Sequence, residues 1–261
     1  MPTAGIVIIG DEILSGKFVE ENAAFLIGEL RALGVELRRI AVIPDDVDDI
    51  AATVTDASRR FDHVFTSGGV GPTHDDVTMA AIAKGFGTTV TRHPDLEAKV
   101  RGYWKDQLAD ANLRLADVPA GAELVYPGGR SESGPLHSRG KDQIWPVVAY
   151  RNVYILPGVP TLFRRKFVDI RDRFRAQPVT AARLYIDIEE GELAPLLDAV
   201  VAAHPVVRIG SYPRFSERDF RVLVTLEAAD AAEVAAAFEQ LAASLGTRVV
   251  RREEPHPVGA A

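Results

Sequence analysis

The chain has 261 residues and a net charge of −7, with 47% apolar and 26% charged residues. These values predict a globular, soluble protein with one large domain or two smaller ones. The negative charge argues against a general nucleic-acid-binding protein, which needs a basic face. The sequence contains no cysteine, which excludes disulfides, cysteine-ligated metals and thiol nucleophiles. It shows neither an apolar run of roughly 20 residues nor a signal peptide, so we expect a cytoplasmic protein.

The first part of the chain alternates strands and helices. Apolar runs at 5–9, 35–43 and 61–66 predict buried strands, and apolar residues at helical spacing follow each of them. This order predicts an α/β domain with a three-layer, doubly wound, mostly parallel sheet. In such sheets ligands bind outside the carboxyl ends of the strands.

The remainder of the chain predicts a loop, a strand pair and a second domain. Residues 126–140 are rich in Gly, Ser, Pro and charge and predict a loop, and apolar runs at 143–150 and 153–156 predict two strands around a turn. Beyond a boundary near residues 175–180, the pattern predicts a β-α-β-β-α-β unit, which is a small ferredoxin-like or KH-like α+β domain.

We therefore predict three segments with different roles. Residues 1–175 form the α/β domain, residues 176–252 form the small α+β domain, and the polar residues 253–261 form a disordered tail.

One glycine-rich segment directly follows the predicted strand at 61–66. It reads Ser67-Gly68-Gly69-Val70-Gly71-Pro72-Thr73-His74-Asp75-Asp76-Val77-Thr78. Glycines let the backbone approach a ligand, and N–H groups at a helix start bind phosphate. Asp75 and Asp76 provide carboxylates for a divalent cation. For the glycines alone, a purely structural turn is an equally good interpretation, but one capping residue would suffice there, so the polar set from Thr73 to Thr78 favours a ligand site.

Other predicted strand ends also carry suggestive residues. Gly10-Asp11-Glu12 follows the first strand, Asp45-Asp46 follows the second, and Pro157-Gly158-Val159-Pro160 follows a later one. For one of the two aspartates at 45 and 46, a helix N-cap is as good an interpretation as catalysis. Asn22 is a ligand contact or a helix cap, and the Pro-Gly-Val-Pro segment is a ligand contact or a rigid turn.

These motifs together resemble a known family. Gly10 to Gly16, Asn22, the segment from Gly68 to Thr78 and Leu156 to Pro160 resemble the molybdopterin-binding (MoCF-type) domain, in the branch of the CinA-like proteins and the N-terminal domain of eukaryotic FAD synthase. The resemblance covers roughly residues 4–175. The C-terminal unit, with Gly210-Ser211-Tyr212-Pro213, is similar to the small domain that follows in those proteins.

The resemblance implies a pocket that binds a phosphorylated nucleotide or pterin. It also implies hydrolysis of a dinucleotide pyrophosphate such as ADP-ribose or FAD, which requires Mg²⁺, Mn²⁺ or Co²⁺. The implied catalytic residues are Asp76, Asp45 and Asp46, and the implied metal ligands are Asp75, Asp76 and Glu12. The implied ligand-binding residues lie at the strand ends and helix starts: Gly10, Asp11, Gly16, Asn22, Ser67, Gly68, Gly69, Gly71, Pro72, Thr73, Thr78, Pro157, Gly158 and Pro160.

We thus expect a metal-dependent nucleotide pyrophosphatase that binds a small phosphorylated ligand. We expect it to bind neither nucleic acid nor a membrane, and it is a possible homo-oligomer. The alternative is a non-catalytic molybdopterin-binding protein associated with molybdenum cofactor biosynthesis. Residues 126–135 depart from the family pattern, which leaves the substrate open. Because the chain stops near residue 261, neither the amidase activity of longer CinA proteins nor the nucleotidyltransferase activity of FAD synthase is expected.

Overall fold

The structure is a computed structural model that describes residues 1–129, 145–214 and 219–259. Most of the atypical segment 126–135 therefore lies outside the described residues. Within those ranges, no helix is both long enough and apolar enough to cross a membrane.

The chain divides into two compact units, and the N-terminal one comprises Pro2–Leu30 and Val35–Arg175. Its strands are β1 Thr3–Ile9, β2 Glu36–Ile43, β3 His63–Ser67, β4 Val90–Arg92, β5 Asp117–Pro119, β6 Glu123–Val125, β7 Val147–Tyr150 and β8 Val153–Leu156. Its helices are α1 Asp11–Leu14, α2 Asn22–Ala32, α3 Val47–Arg60, α4 Thr78–Gly85, α5 Pro94–Trp104 and α6 Pro160–Ile170.

Six of these strands form one sheet in the order β2-β1-β3-β8-β7-β6. The first four are parallel to one another, and β7 runs antiparallel to both of its neighbours. Strands β4 and β5 pair separately as an antiparallel ribbon. The predicted doubly wound, mostly parallel sheet is confirmed. Its parallel part places the carboxyl ends of β2, β1, β3 and β8 side by side at one edge.

Successive residues of β3 pack on opposite faces of this sheet, because side chains alternate along a strand. Val64 belongs to a buried cluster that includes Ile50 of α3 and Ile82 of α4. Phe65 points to the other face, where its ring lies 5.6 Å from that of Phe167 in α6. Both faces of the sheet are thus covered by helices, which explains why its strands consist of continuous apolar runs.

The C-terminal unit comprises Met1, Arg31–Gly34 and Ala176–Ala261. Its elements in chain order are β9 Thr180–Ile186, α7 Glu190–Ala203, β10 Arg208–Pro213, β11 Val222–Ala228, α8 Ala231–Leu245 and β12 Val249–Pro257. The four strands pair antiparallel in the order β10-β11-β9-β12, which is the ferredoxin-like arrangement of a β-α-β-β-α-β unit. One face of this sheet is buried, and Leu184, Val224 and Phe238 lie in its core.

The prediction of a disordered tail from residue 253 is wrong for residues 253–257, because β12 continues to Pro257. Glu253 explains how a polar segment is held there: its carboxylate accepts hydrogen bonds from Arg183 at 3.0 Å and from the Tyr185 hydroxyl at 2.6 Å. Composition alone suggested disorder, whereas the Glu253 carboxylate is bound by the neighbouring strand β9.

Candidate functional site

The predicted glycine segments meet at the carboxyl edge of the parallel strands. The Gly10 N–H, after β1, donates to the carbonyl oxygen of Ile43 at the end of β2, at 3.1 Å. The Gly68 N–H, after β3, donates to the carbonyl oxygen of Leu156 at the end of β8, at 3.2 Å. Four segments that are far apart in sequence therefore form one continuous edge.

Glycine is required at the centre of this edge because the backbones approach too closely for a side chain. Gly68 has a φ of +108°, and a Cβ there would lie 2.0 Å from the Ile9 carbonyl oxygen. Gly69 has a φ of +64°, and its Cβ would lie 2.3 Å from Thr78 Oγ1. A Cβ on Gly158 would lie 3.2 Å from the Cα atom of Gly68. Tight packing alone explains these glycines.

The turn after β3 presents donors toward the strand edge. Thr78 is buried, and its hydroxyl donates to the Gly68 carbonyl oxygen at 2.9 Å while its N–H donates to the Gly69 carbonyl oxygen at 3.0 Å. These two hydrogen bonds hold the turn, and the contact of Thr78 with a ligand stays a prediction. The backbone N–H groups of Gly69 and Val70 make no hydrogen bond to another described residue, so they are available to an anion.

Asp76 closes the loop that follows. Its Oδ1 accepts from the Gly71 N–H at 2.6 Å, and its Oδ2 accepts from the Thr73 N–H at 2.8 Å and from the Thr73 hydroxyl. The carboxylate therefore determines the conformation of residues 71–76. Catalysis and metal binding by Asp76 stay predictions, and both would have to coexist with these three hydrogen bonds.

The adjacent aspartates at the end of β2 have different roles. Asp46 is the N-cap of α3, because its Oδ1 accepts from the N–H groups of Asp48 and Asp49, each at 2.9 Å. Asp45 instead points across the strand edge, where its Oδ2 accepts from the Asp11 N–H at 3.0 Å. The capping interpretation thus applies to Asp46, and catalysis by Asp45 stays a prediction.

Negative charge accumulates around Asp45. Partial burial raises the pKa of the Asp45 carboxyl group, and the nearby carboxylates of Glu12, Asp11 and Asp75 raise it further, although the hydrogen bond from the Asp11 N–H lowers it. Glu12 lies against Gly10, where a Cβ would be 2.7 Å from either of its carboxylate oxygens. A carboxyl group surrounded by other carboxylates is chemically suited to a cation, which would neutralise their mutual repulsion.

The acids do not form a complete metal-binding shell by themselves. In the part of the chain that the structure describes, no group of three or more His, Asp or Glu residues is arranged to hold a metal ion. Of the predicted metal ligands, Asp76 accepts hydrogen bonds from Gly71 and Thr73 of its own loop, and the Asp75 side chain is 64% exposed. A magnesium-like ion commonly takes only one or two carboxylates and completes its shell with water and ligand phosphates, and Asp45 and Glu12 are the residues that would hold it.

Asn22 joins two strand ends. It is 4% exposed, and its Nδ2 donates to Ser67 Oγ at 2.9 Å and to the Gly158 carbonyl oxygen at 2.7 Å. The N–H groups that open α2 are instead bound by Glu20, whose carboxylate accepts from the N–H groups of Asn22 and Ala23. The alternative of Asn22 as a side-chain cap is therefore not seen. Sequence reasoning missed Glu20 as the residue that binds the helix start.

The remaining predicted ligand contacts lie at the ends of local elements. Gly16, with a φ of +71°, follows α1, and Pro160 occupies the first turn of α6. Pro157 follows β8 directly, and the Pro72 carbonyl oxygen lies 3.5 Å from Arg114 Nη1. Their positions at loop and helix starts neither require nor exclude contact with a ligand.

The family is established by comparison with known proteins. The family described as "Probable molybdopterin binding domain" matches residues 5–175, and the "FAD synthase, middle domain" family matches residues 178–254. The chain belongs to the CinA-like molybdopterin-binding (MoCF-type) domain family, which is related to the N-terminal part of FAD synthase.

Individual relatives differ in length. The chain is 34% identical over 247 residues to the "Probable FAD synthase" of Caenorhabditis elegans, covering 86% of this chain but 46% of the relative, so it spans about half of that protein. A protein of Archaeoglobus fulgidus is 32% identical over 221 residues, which cover 82% of this chain and 90% of the relative. The "CinA-like protein" of Desulfosudis oleivorans is 33% identical over 160 residues, which cover 60% of this chain and 37% of the relative.

Among solved structures, CinA from Thermoplasma acidophilum, described as a protein of unknown function, is similar in fold. It is 28% identical with a TM-score of 0.56, and the similarity covers 67% of this chain and 99% of the other.

Proposed function

We propose that the protein is a divalent-metal-dependent pyrophosphatase that hydrolyses the phosphoanhydride of a dinucleotide such as FAD or ADP-ribose. In this reaction water attacks one phosphorus, the bridging P–O bond breaks, and two monophosphates leave. The observation that carries the proposal is the meeting of the Gly68–Gly69 turn and the Asp45 carboxylate at one strand edge, where a Cβ on Gly69 would lie 3.4 Å from Asp45 Oδ1. An anion-binding turn and a cation-binding acid at this separation suit a metal–phosphate complex.

Each group has a distinct role in this proposal. The free N–H groups of Gly69 and Val70 bind non-bridging phosphate oxygens and stabilise the negative charge that develops on them. Asp45 and Glu12 hold the divalent cation, which supplies charge neutralisation and lowers the pKa of a bound water. Asp76 keeps the loop in the conformation that directs the turn toward the ligand.

The choice of substrate rests on the relatives. A protein called a probable FAD synthase aligns with 86% of this chain, which favours a flavin dinucleotide. Because the chain spans less than half of that relative, the preference for a flavin dinucleotide is tested directly, by comparing FAD with ADP-ribose.

The experiment is an assay for AMP release from FAD and from ADP-ribose with Mg²⁺, Mn²⁺ or Co²⁺. Two neighbouring isosteric variants provide the test and its control. Asp45→Asn removes a carboxylate at the strand edge, whereas Asp46→Asn removes the same charge one residue away and keeps a good helix cap. We expect Asp45→Asn to lose about 100-fold or more in turnover and Asp46→Asn to stay within a few-fold of the wild type. Equal effects of the two variants, or no AMP with any of the three metals, would refute the proposal.

The second candidate is a non-catalytic binder of molybdopterin, which the description of the matching family favours. Calorimetry with molybdopterin separates the two functions. Binding without hydrolysis of either dinucleotide would select the binder, and turnover without pterin binding would eliminate it.

A further inference from the structure

The C-terminal unit has an open sheet face whose side chains form an ordered row. Strand pairing places Tyr212 of β10 opposite Leu223 of β11, Leu223 opposite Tyr185 of β9, and Tyr185 opposite Arg251 of β12. The neighbouring residues in β9 and β11, such as Leu184 and Val224, point to the buried face. Because side chains alternate along strands, the four residues of the row share the opposite face of the sheet.

A wide cavity of about 940 Å³ lies on this face. Its lining includes three aromatic residues: Tyr185 and Tyr212 from the row, and Phe220, which precedes β11. The volume is at the upper end of the range of small-molecule sites. Tyr212 is 50% exposed, and it provides aromatic surface that the fold itself does not bury.

A stacked pair lies within this cavity. The Arg251 guanidinium lies 3.5 Å from the centroid of the Tyr185 ring, and the Phe220 ring lies nearly perpendicular to the same ring at a centroid distance of 4.9 Å. The Arg251 side chain nevertheless stays 59% exposed. The face of the guanidinium that points away from Tyr185 is thus a planar cationic surface, and such surfaces stack on nucleobases and similar rings.

The charge of the cavity favours an anion. Its lining contains four arginines and two acidic residues: Arg31, Arg183, Arg214, Arg251, Asp219 and Glu227. Arg183 is paired with Glu253 at 3.0 Å and Arg31 is paired with Glu227, so the charges of these two arginines are largely neutralised. Arg214 has no ion-pair partner within residues 1–129, 145–214 and 219–259, which leaves its guanidinium available for a phosphate.

We propose that this face is a second binding site, separate from the strand edge of the N-terminal unit, for a phosphorylated ligand of nucleotide size with a planar aromatic ring. The ring stacks on the exposed face of the Arg251 guanidinium, and Arg214 binds the phosphate. A single-stranded nucleic acid would use similar contacts, but the net charge of −7 favours a small ligand over a polyanion.

The experiment is a titration of the full chain with AMP, followed by amide chemical shifts. We expect shifts in β9, β11 and β12, and an affinity about tenfold weaker in both Arg251→Ala and Arg214→Ala. Arg248→Ala is the matched control, because Arg248 lies in the same unit, pairs with Glu192 and does not line the cavity. It should bind AMP like the wild type.

Three results would overturn the proposal. The first is a set of AMP-induced shifts confined to the N-terminal unit. The second is an equal loss of affinity in Arg248→Ala, which would indicate a nonspecific charge effect. The third is a macromolecule that occupies the face, seen either as a dimer that Arg251→Ala dissociates or as a single-stranded oligonucleotide that binds more tightly than AMP. Hydrolysis of FAD or ADP-ribose is not measured in this titration, so its outcome is independent of the proposed catalytic function.

Discussion

Replacing Gly68 by alanine tests whether the strand edge is as tightly packed as the structure indicates. The new Cβ would lie 2.0 Å from the Ile9 carbonyl oxygen at a φ of +108°. The unfavourable backbone conformation costs about 2 kcal/mol, and displacing the β1 backbone costs about 2 kcal/mol more. We therefore expect the free energy of unfolding to fall by about 4 kcal/mol, a large part of the 5–15 kcal/mol typical of a folded protein.

Gly16→Ala is the matched control, because Gly16 also has a positive φ, of +71°, but a Cβ there meets no atom within 4 Å. It should cost only about 1 kcal/mol. Urea unfolding followed by tryptophan fluorescence measures both variants, and Trp104 and Trp145 both lie in the N-terminal unit. If Gly68→Ala were no more destabilising than Gly16→Ala, the close approach of β1 and the turn after β3 would be incorrect.

Two further predictions concern pH. Folding raises the pKa of Asp45, so the stabilisation that its protonated form provides is present at low pH and is lost as the pH rises through the folded-state pKa. Asp45→Asn should therefore raise the free energy of unfolding at pH 7 but not at pH 3, as measured by urea unfolding. Burial lowers the pKa of Lys166 to about 8, so stability should rise between pH 8 and 10.5, by at most about 1.4 kcal/mol per pH unit, and this slope should be smaller in Lys166→Met. An unchanged slope in that variant would contradict the burial of the Lys166 ammonium group.

Much of the fold could be predicted because the signals were local and strong. The apolar run at 5–9 lies within β1, and the β-α-β-β-α-β order predicted for the second domain is the order of β9 to β12 with α7 and α8. The alternation of strands and helices also predicted that the segments after β1, β2 and β3 would meet, because the carboxyl ends of parallel strands lie at one edge of a sheet. Short elements such as α1 and β6 were missed, since three or four residues carry too little periodicity.

The roles of individual acids were harder to predict. Asp45 and Asp46 are chemically identical neighbours, and only the backbone direction at the start of α3 decides which of them caps the helix. The inward orientation of Asp76 depends on the path of residues 71–76, which no local pattern specifies. Side-chain direction at a loop is set by tertiary structure, so sequence reasoning identified the group of candidate acids but not the role of each.

The two hydrogen bonds that the Asn22 side chain donates affect how the chain folds while it is being synthesised. They join residues that are 45 and 136 positions apart in sequence. Closing such long segments is entropically costly and tends to occur late in folding. On the ribosome, where the N-terminal part emerges first, the glycine turn after β3 is made well before Gly158 exists. The strand edge, and with it the proposed ligand site, is therefore incomplete in the nascent chain until β8 has been synthesised and has paired with β3.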